Sequence, residues 1–220
     1  MTPLDYAARI CYSSREVLQF SYDMAVKYKD SPGVYVETGV AAGAQIIAMA
    51  YGAPNKTIYA FDSFCGLPLP SNKDDQMPGI RMLSKEEQSK LPDPGKQVLE
   101  SSGATVVSEG DFWHHIDTAF GQKKHNVKTV KGWFEETLPT FECEPISILR
   151  LDSDLYNSTY VCLKYLYPKC IKGACIIVDD WALPGCREAV FDYFMTNFYG
   201  LGIRMEFIED KNSTVAYWTK

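Results

Sequence analysis

Residues 34–51 read VYVETGVAAGAQIIAMAY and combine three local patterns. A β-prone run at 34–36 leads into Glu37, Thr38 and Gly39, Gly43 follows, and residues 44–51 are almost wholly apolar. This order predicts a strand, a glycine turn and a buried helix, one directly after the other. A strand that feeds into a helix is the unit from which parallel α/β sheets are built.

The alternation of strand and helix continues along the chain. The further predicted strands are residues 57–61, 127–130, 146–151, 174–178, 205–208 and 215–218. The further predicted helices are one with an apolar stripe of Val17, Phe20, Met24 and Tyr28, one at 157–167 capped by Asn157 or Ser158, and one at 187–198. The pattern predicts an α/β fold with a parallel sheet, and the last two strands predict an antiparallel hairpin at its edge.

Residues 66–120 interrupt this rhythm. The first part is rich in proline and charge, and Ser84 and Glu87 have the spacing of a capping box for a short helix. Ser108 then caps a helix with an apolar stripe that includes Phe112 and Ile116. The length of the chain predicts one domain, 1–220. Because long insertions between sheet strands have a function or are mobile, we expect the segment at about 66–120 to form a lid. A passive surface excursion is the alternative.

Composition limits the classes of function. The chain has 220 residues, 46% of them hydrophobic, and a net charge of −6, so neither a nucleic-acid partner nor an anionic membrane partner is expected. The seven cysteines show no C-x-x-C spacing, which argues against zinc-finger and thioredoxin-like sites. Apolar runs are too short to span a bilayer. A reduced, cytoplasmic protein is the expectation.

Acidic residues stand where the predicted strands end, the edge at which open α/β sheets bind ligands. Glu37-x-Gly39-x-x-x-Gly43 is similar to a dinucleotide fingerprint, but Glu37 would repel a pyrophosphate. Asp62 stands 19 residues after Gly43, where a carboxylate accepts hydrogen bonds from ribose hydroxyls. Together they predict a nucleoside ligand without phosphates, and S-adenosylmethionine, with its adenosine and its sulfonium cation, fits.

Asp152, Asp179 and Asp180 follow two further strands. If those strands are neighbours, the three carboxylates converge and need a cation, and hard oxygen ligands indicate Mg²⁺, Mn²⁺ or Ca²⁺. The alternative is that they cap helices. Arg150, inside an apolar strand, needs a partner, and an acid of this site is the candidate.

Five motifs stand in order along the chain: Val36-Glu37-Thr38-Gly39-Val40, Phe61-Asp62-Ser63-Phe64, Lys131-Gly132-Trp133-Phe134, Leu149-Arg150-Leu151-Asp152-Ser153-Asp154-Leu155-Tyr156 and Val178-Asp179-Asp180. As a set they resemble the macrocin O-methyltransferase (TylF/MycF) family, whose members include enzymes that methylate sugar hydroxyls on antibiotics. The resemblance covers about residues 34–194.

The resemblance implies a Rossmann-like class I methyltransferase: a three-layer sandwich with a mostly parallel seven-stranded sheet whose last strand is antiparallel. It also implies S-adenosylmethionine as donor, a magnesium ion and a homodimer. The metal ligands would be Asp152, Asp179 and Asp180. The contacts to the methyl donor would fall on Glu37, Gly39, Asp62 and Ser63. We also assign Thr38, Gly43, Gly132 and Trp133 to this site.

We therefore predict a magnesium-dependent O-methyltransferase whose small-molecule acceptor is a sugar or another molecule with vicinal oxygens. Asp152 is the first choice for the proton acceptor and His114 the second. Two alternatives remain. Asp152-Ser153-Asp154 is also the D-x-D of sugar-nucleotide glycosyltransferases, and the fold also suits a non-catalytic nucleoside-binding protein.

Overall fold

The computed structural model describes residues 1–74, 80–82, 84–90, 99–101, 106–121, 125–197, 202–209 and 214–220. The helices are α1 (Pro3–Ile10), α2 (Arg15–Tyr28), α3 (Ala44–Gly52), α4 (Lys85–Ser89), α5 (Glu109–Phe120), α6 (Phe134–Thr137), α7 (Tyr156–Leu166) and α8 (Pro184–Asn197). The strands are β1 (Val34–Thr38), β2 (Ile58–Asp62), β3 (Ile80–Met82), β4 (Leu99–Ser101), β5 (Val127–Lys131), β6 (Ile146–Leu151), β7 (Cys170–Val178), β8 (Glu206–Glu209) and β9 (Thr214–Thr219).

Seven strands form one sheet in the order β5-β2-β1-β6-β7-β9-β8. The first five pair in parallel, while β9 runs antiparallel to both of its neighbours. The predicted mostly parallel sheet with an antiparallel last strand is confirmed, and so is the terminal hairpin. Chain order reverses between β1 and β6, and open α/β sheets bind ligands at such a switch point.

Helices cover both faces of the sheet and give three layers. On one face Tyr35, Ile148 and Ile177 pack in a cluster with α1, α2, α3 and α5. On the other face Leu149 and Ile176 pack with α7 and α8. Because successive strand residues point to opposite faces, every residue of β1 is buried. The ends of β1 and β6 are therefore held by packing on both sides.

The segment predicted as a lid, about 66–120, is described only in part. Residues 75–79, 83, 91–98 and 102–105 lie outside the described ranges. Ser84 and Glu87 form the predicted capping box at the start of α4. α5, at the end of the segment, is a core helix, since Phe112 and Ile116 are fully buried in the cluster that contains α3. A lid formed by the rest of the segment stays a prediction.

The start of α7 differs from its prediction. The helix begins at Tyr156, and neither Asn157 nor Ser158 caps it. The amide of Tyr156 donates instead to the carboxylate of Asp74, at 2.8 Å. Because this cap comes from a distant segment, the local pattern around 157 contains no sign of it.

α1 lies outside the helices predicted from the sequence. Thr2 and Asp5 form its capping box, in which each residue accepts the other's amide hydrogen. α1 packs on α3 and α5, and so covers the sheet face beside the glycine turn. Of the helices in the described ranges, none combines the length and apolar character needed to cross a bilayer.

Candidate active site

A buried arginine lies at the centre of the acidic strand ends. Arg150, in β6, is wholly shielded from solvent, and the predicted need for an acidic partner is confirmed. Its Nε donates to Glu37 Oε1 at 3.0 Å. Its Nη2 donates to Asp179 Oδ1 at 2.6 Å and to Asp152 Oδ2 at 3.2 Å. The side chain thus joins the carboxyl ends of β1, β6 and β7, which are adjacent in the sheet.

Glu37 has one oxygen without a partner. Its side chain is 1% exposed, and among the described residues nothing donates a hydrogen bond to Oε2. Burial raises the pKa of Glu37 to about 8, while the Arg150 guanidinium acts in the opposite direction. A buried, unpaired oxygen is costly unless a ligand supplies the missing hydrogen bond. Glu37 therefore suits a ligand that carries hydrogen-bond donors.

Asp152, Asp179 and Asp180 meet, as their sequence positions predicted. One carboxylate oxygen from each lies within 4.8 Å of the other two. Burial, and next to it the neighbouring carboxylates, raise the pKa of Asp152 and of Asp180 well above the ordinary value. Arg150 supplies one positive charge, so the cluster keeps a surplus of negative charge. This surplus of negative charge and the carboxylate oxygens, as ligand atoms, fit a hard divalent cation such as Mg²⁺.

Asp154 belongs to the same turn after β6. Its φ of 57° is unfavourable for a residue with a side chain. Its amide donates to Asp180 Oδ2 at 2.9 Å, and its carbonyl accepts from the Cys186 thiol at 3.3 Å. Burial, followed by the charge of Asp179, raises the pKa of Asp154 to about 7. No described residue donates a hydrogen bond to its carboxylate, which leaves that group available to a ligand.

The glycine turn after β1 is held by Asp62. Asp62 Oδ2 accepts the amides of Val40 and Ala41 at 2.9 and 3.0 Å, and Oδ1 accepts the amide of Phe64 at 2.7 Å. Gly39 has a φ of 79°, and a Cβ there would overlap the backbone carbonyl of Asp152. Glycine is therefore required where the turn meets the acidic cluster.

Three more residues that were predicted to bind the methyl donor lie in the loops after β2 and β5. The Ser63 hydroxyl donates to the Gly66 carbonyl at 2.8 Å and accepts the Cys65 amide at 3.0 Å, which closes the turn after Asp62. Gly132 and Trp133 follow β5, and the Gly132 amide donates to the Asp62 carbonyl at 3.0 Å. The two loops therefore support each other.

A cavity of about 1010 Å³ opens at this edge of the sheet, which is at the upper end of the range for small-molecule sites. Three residues predicted for the site are absent from its lining: Thr38 is buried in β1, His114 lies on the exposed side of α5, and Gly43 caps α3. A Cβ on Gly43 would lie 2.8 Å from the Phe112 ring, so this glycine serves packing. The predicted residues that do line the cavity are Glu37, Gly39, Asp62, Ser63, Gly132, Trp133, Asp152, Asp179 and Asp180.

The linker between α1 and α2 also lines the cavity, which the sequence did not indicate. Cys11, Tyr12 and Ser13 lie along one wall. The Ser13 hydroxyl donates to Asp179 Oδ2 at 3.5 Å, and the Gln45 amide donates to the Cys11 sulfur at 3.8 Å. Small polar residues in a linker carry no pattern that predicts such a contact, since it depends on how α1 packs.

The fold is that of the class I methyltransferases that use S-adenosylmethionine. The solved O-methyltransferase NovP matches it with a TM-score of 0.68 and 26% identity, over 94% of this chain and 80% of NovP. The model of the family described as Macrocin-O-methyltransferase (TylF) matches residues 18–220. The chain belongs to this family, and the predicted resemblance is confirmed.

Curated relatives agree with the family. The chain is 32% identical over 194 residues to "Mycinamicin III 3''-O-methyltransferase" of Micromonospora griseorubida, which covers 86% of this chain and 69% of that protein. It is 31% identical over 192 residues to "8-demethyl-8-(2,3-dimethoxy-alpha-L-rhamnosyl)-tetracenomycin-C 4'-O-methyltransferase" of Streptomyces olivaceus, which covers 85% and 66%. The chain thus spans about two thirds of these proteins. Other solved chains with this fold, 10% to 11% identical, hold S-adenosylmethionine or S-adenosylhomocysteine.

Proposed function

We propose that the protein transfers a methyl group from S-adenosylmethionine to a hydroxyl of a sugar, or of another small molecule with neighbouring oxygens, with the help of Mg²⁺. The observation that carries the proposal is that Asp152, Asp179 and Asp180 meet in the wall of a cavity that Glu37 and Asp62 also line. The rhamnosyl group in the name of one relative supports a sugar acceptor.

The methyl donor, S-adenosylmethionine, is assigned to the side of the cavity near β1 and β2. Glu37 Oε2 is a buried acceptor without a donor, and an adenosine with an amino-acid end offers both hydroxyl and ammonium donors. Asp62 Oδ1 accepts the Phe64 amide, and a carboxylate oxygen can accept a further hydrogen bond, here from a ribose hydroxyl. Gly39 lets the turn lie against the Asp152 backbone, which brings this side of the cavity next to the acidic cluster.

The metal is assigned to Asp152, Asp179 and Asp180. When bound, Mg²⁺ would lower the pKa of the acceptor hydroxyl and orient its oxygen toward the methyl group. Arg150 donates to one oxygen of Asp152 and to one oxygen of Asp179, so the second oxygen of each carboxylate is not bound by the guanidinium. A buried arginine thus fixes the carboxylates without removing their surplus charge.

Asp154 is favoured over both predicted residues as the proton acceptor. His114 is exposed on α5 and does not line the cavity. Asp152 is bonded to Arg150 and belongs to the metal set. Asp154 lines the cavity two residues further on, and its carboxylate accepts no hydrogen bond from the described residues. A general base has to reach the proton that it removes, and Asp154 meets that condition beside the cluster.

The other functions predicted from the sequence have less support. A sugar-nucleotide glycosyltransferase would bring a diphosphate to Asp152 and Asp154, where Glu37, Asp179 and Asp180 add further negative charge. A non-catalytic nucleoside-binding protein would leave the cluster without a role. A cytoplasmic location and a homodimer stay predictions.

A transfer assay with methyl-labelled S-adenosylmethionine tests the proposal. Nucleotide sugars and glycosides with adjacent hydroxyls serve as acceptors, in Mg²⁺ or in EDTA. We expect label in at least one glycoside with Mg²⁺, loss of transfer in EDTA, and loss of transfer in Asp180→Asn at an unchanged affinity for S-adenosylhomocysteine. Undiminished transfer in EDTA and in Asp180→Asn would overturn the metal assignment.

A further inference from the structure

We propose that Asp74 is a positioning residue that holds the acidic cluster in shape, an inference that rests on the proposed metal site. Asp74 ends a single 3-10 turn, Asn72–Asp74, in the segment after β2. Its side chain is buried, at 6% exposure, although it is an acid and belongs to none of the predicted sites. A buried carboxylate needs hydrogen-bond donors, and these donors identify its role.

The first donor is the start of α7. Leu155, the N-cap residue, gives no side-chain cap, and the Tyr156 amide donates to Asp74 Oδ1 at 2.8 Å. A carboxylate at this position also interacts favourably with the positive end of the helix dipole. Tyr156 stands two residues after Asp154 and four after Asp152. Asp74 therefore fixes the far end of the turn that carries both acids.

This turn needs fixing because its backbone is strained. Asp154 has a φ of 57°, a conformation that persists only where surrounding contacts enforce it. The Asp154 amide is held by Asp180, and the hydroxyls of Ser153 and Thr159 are 3.1 Å apart. The Asp74 bond to Tyr156 closes the turn on its other side. Without that bond, the first turn of α7 would fray and the turn would relax.

Asp74 also touches the start of α8, the helix after Asp179 and Asp180. A Cβ on Gly185 would overlap the Asp74 carboxylate, so the first turn of α8 accommodates this acid only with glycine. Asp74 Oδ2 accepts the amide of Ser71 at 2.8 Å and its hydroxyl at 2.7 Å. One carboxylate thus links the cavity-lining loop after β2 to both helices that follow the acidic strand ends.

The neighbouring Lys73 offers a matched control. Its Nζ lies 2.6 Å from Asp192 and 2.8 Å from Glu188, both on α8, and 4.1 Å from the centre of the Tyr156 ring. Lys73 therefore ties the same 3-10 turn to α8, but from the solvent side and without touching the α7 amide. Its removal loosens the segment and leaves the bond between Asp74 and Tyr156 in place.

The test measures Mn²⁺ binding by the electron paramagnetic resonance signal of free Mn²⁺, with S-adenosylhomocysteine present. The wild-type protein is compared with Asp74→Ala, Asp74→Asn, Gly185→Ala and Lys73→Met. Affinity for S-adenosylhomocysteine and thermal unfolding are measured in parallel, because a merely structural role would change the melting temperature alone.

We expect Asp74→Ala and Gly185→Ala to raise the Mn²⁺ dissociation constant roughly tenfold or more, the usual effect of losing a group that orients metal ligands. Asp74→Asn keeps an oxygen for the Tyr156 amide but places an NH₂ group against the Ser71 amide, so it should bind Mn²⁺ more tightly than Asp74→Ala and more weakly than the wild type. Lys73→Met should bind Mn²⁺ like the wild type. The affinity for S-adenosylhomocysteine should not change in any variant.

Wild-type Mn²⁺ affinity in Asp74→Ala overturns the inference, and so does equal weakening in Lys73→Met. If Asp74→Ala does not fold, Gly185→Ala decides in the same way. If the wild-type protein binds no Mn²⁺, the proposed metal site itself is wrong and the inference falls with it.

Discussion

Arg150 Nη2 and Asp179 Oδ1 lie 2.6 Å apart, and this is the shortest link between the guanidinium and the acids around it. Arg150 is wholly buried, and the pair joins β6 to the end of β7. The cluster is thus built on a buried cation, and Asp152, Asp179 and Asp180 line the cavity. A site of this kind depends on the arginine for its stability as well as for its shape.

Arg150→Met should strongly destabilise the protein. Removing one partner of a buried ion pair leaves uncompensated charge and costs about 3–5 kcal/mol, here at Glu37 and Asp179. Urea unfolding measures the loss, and Arg150→Lys, which keeps the charge but offers fewer donors, should fall between Met and wild type. Equal stability of Arg150→Met and wild type would contradict this account.

Gly39→Ala should damage the fold and the site together. The residue has a φ of 79°, and its Cβ would overlap the Asp152 carbonyl. Gly173→Ala is the matched control, because Gly173 has a φ of 87° and open space around it. Gly173→Ala should cost about 1–2 kcal/mol for the left-handed backbone alone. Gly39→Ala should cost more and also weaken S-adenosylhomocysteine binding, as urea unfolding and calorimetry would measure. Equal behaviour of the two variants would argue against the contact with Asp152.

Gly43→Ala should lower stability without changing donor affinity. Its Cβ would lie 2.8 and 2.9 Å from two atoms of the Phe112 ring, which is fully buried. The residue does not line the cavity, so the folded variant should bind S-adenosylhomocysteine like the wild type. A large loss of affinity at unchanged stability would restore the sequence-based assignment of Gly43 to the donor site.

Glu37→Gln should selectively weaken the binding of S-adenosylhomocysteine at the site for the methyl donor. The amide oxygen can still accept the hydrogen bond from Arg150, but the other oxygen becomes an NH₂ group and no longer accepts. Above the Glu37 pKa of about 8, where this carboxylate is charged, a hydrogen bond to it contributes about 1.5–3 kcal/mol. Calorimetry at that pH should therefore show an affinity for S-adenosylhomocysteine at least roughly tenfold lower. Glu135→Gln, a carboxylate of the cavity rim that is exposed, is the control and should bind normally. Equal affinities of the two variants would remove Glu37 from the donor site.

Much of the fold was predictable because its signals are local. The run 34–51 gives β1, the glycine turn and α3, and the apolar run 175–178 lies inside β7, with β6 and β9 on either side. Asp152, Asp179 and Asp180 were predictable as a cluster, because the carboxyl ends of neighbouring parallel strands meet at one edge. Arg150 was predictable as a residue in need of an acid, since charge inside an apolar strand requires a partner.

What the sequence did not show depends on contacts between distant segments. Asp74 caps α7 across 82 residues, and no pattern near either residue predicts that pairing. Ser13 reaches Asp179 only because α1 packs beside the glycine turn. Gly43 fits a ligand-binding motif by spacing, yet its neighbour is Phe112, a residue of another helix. Spacing identifies a glycine turn, but the packing partner decides which glycine faces a ligand.

Calorimetric titration of S-adenosylhomocysteine into the wild-type protein, first with Mg²⁺ and then with EDTA, tests whether the methyl donor binds beside a separate metal site. We expect micromolar binding in both solutions, because Glu37 and Asp62 lie on β1 and β2 while the metal ligands follow β6 and β7. Absence of binding in both solutions would rule out the site for the methyl donor, and loss of binding in EDTA alone would rule out its separation from the metal site.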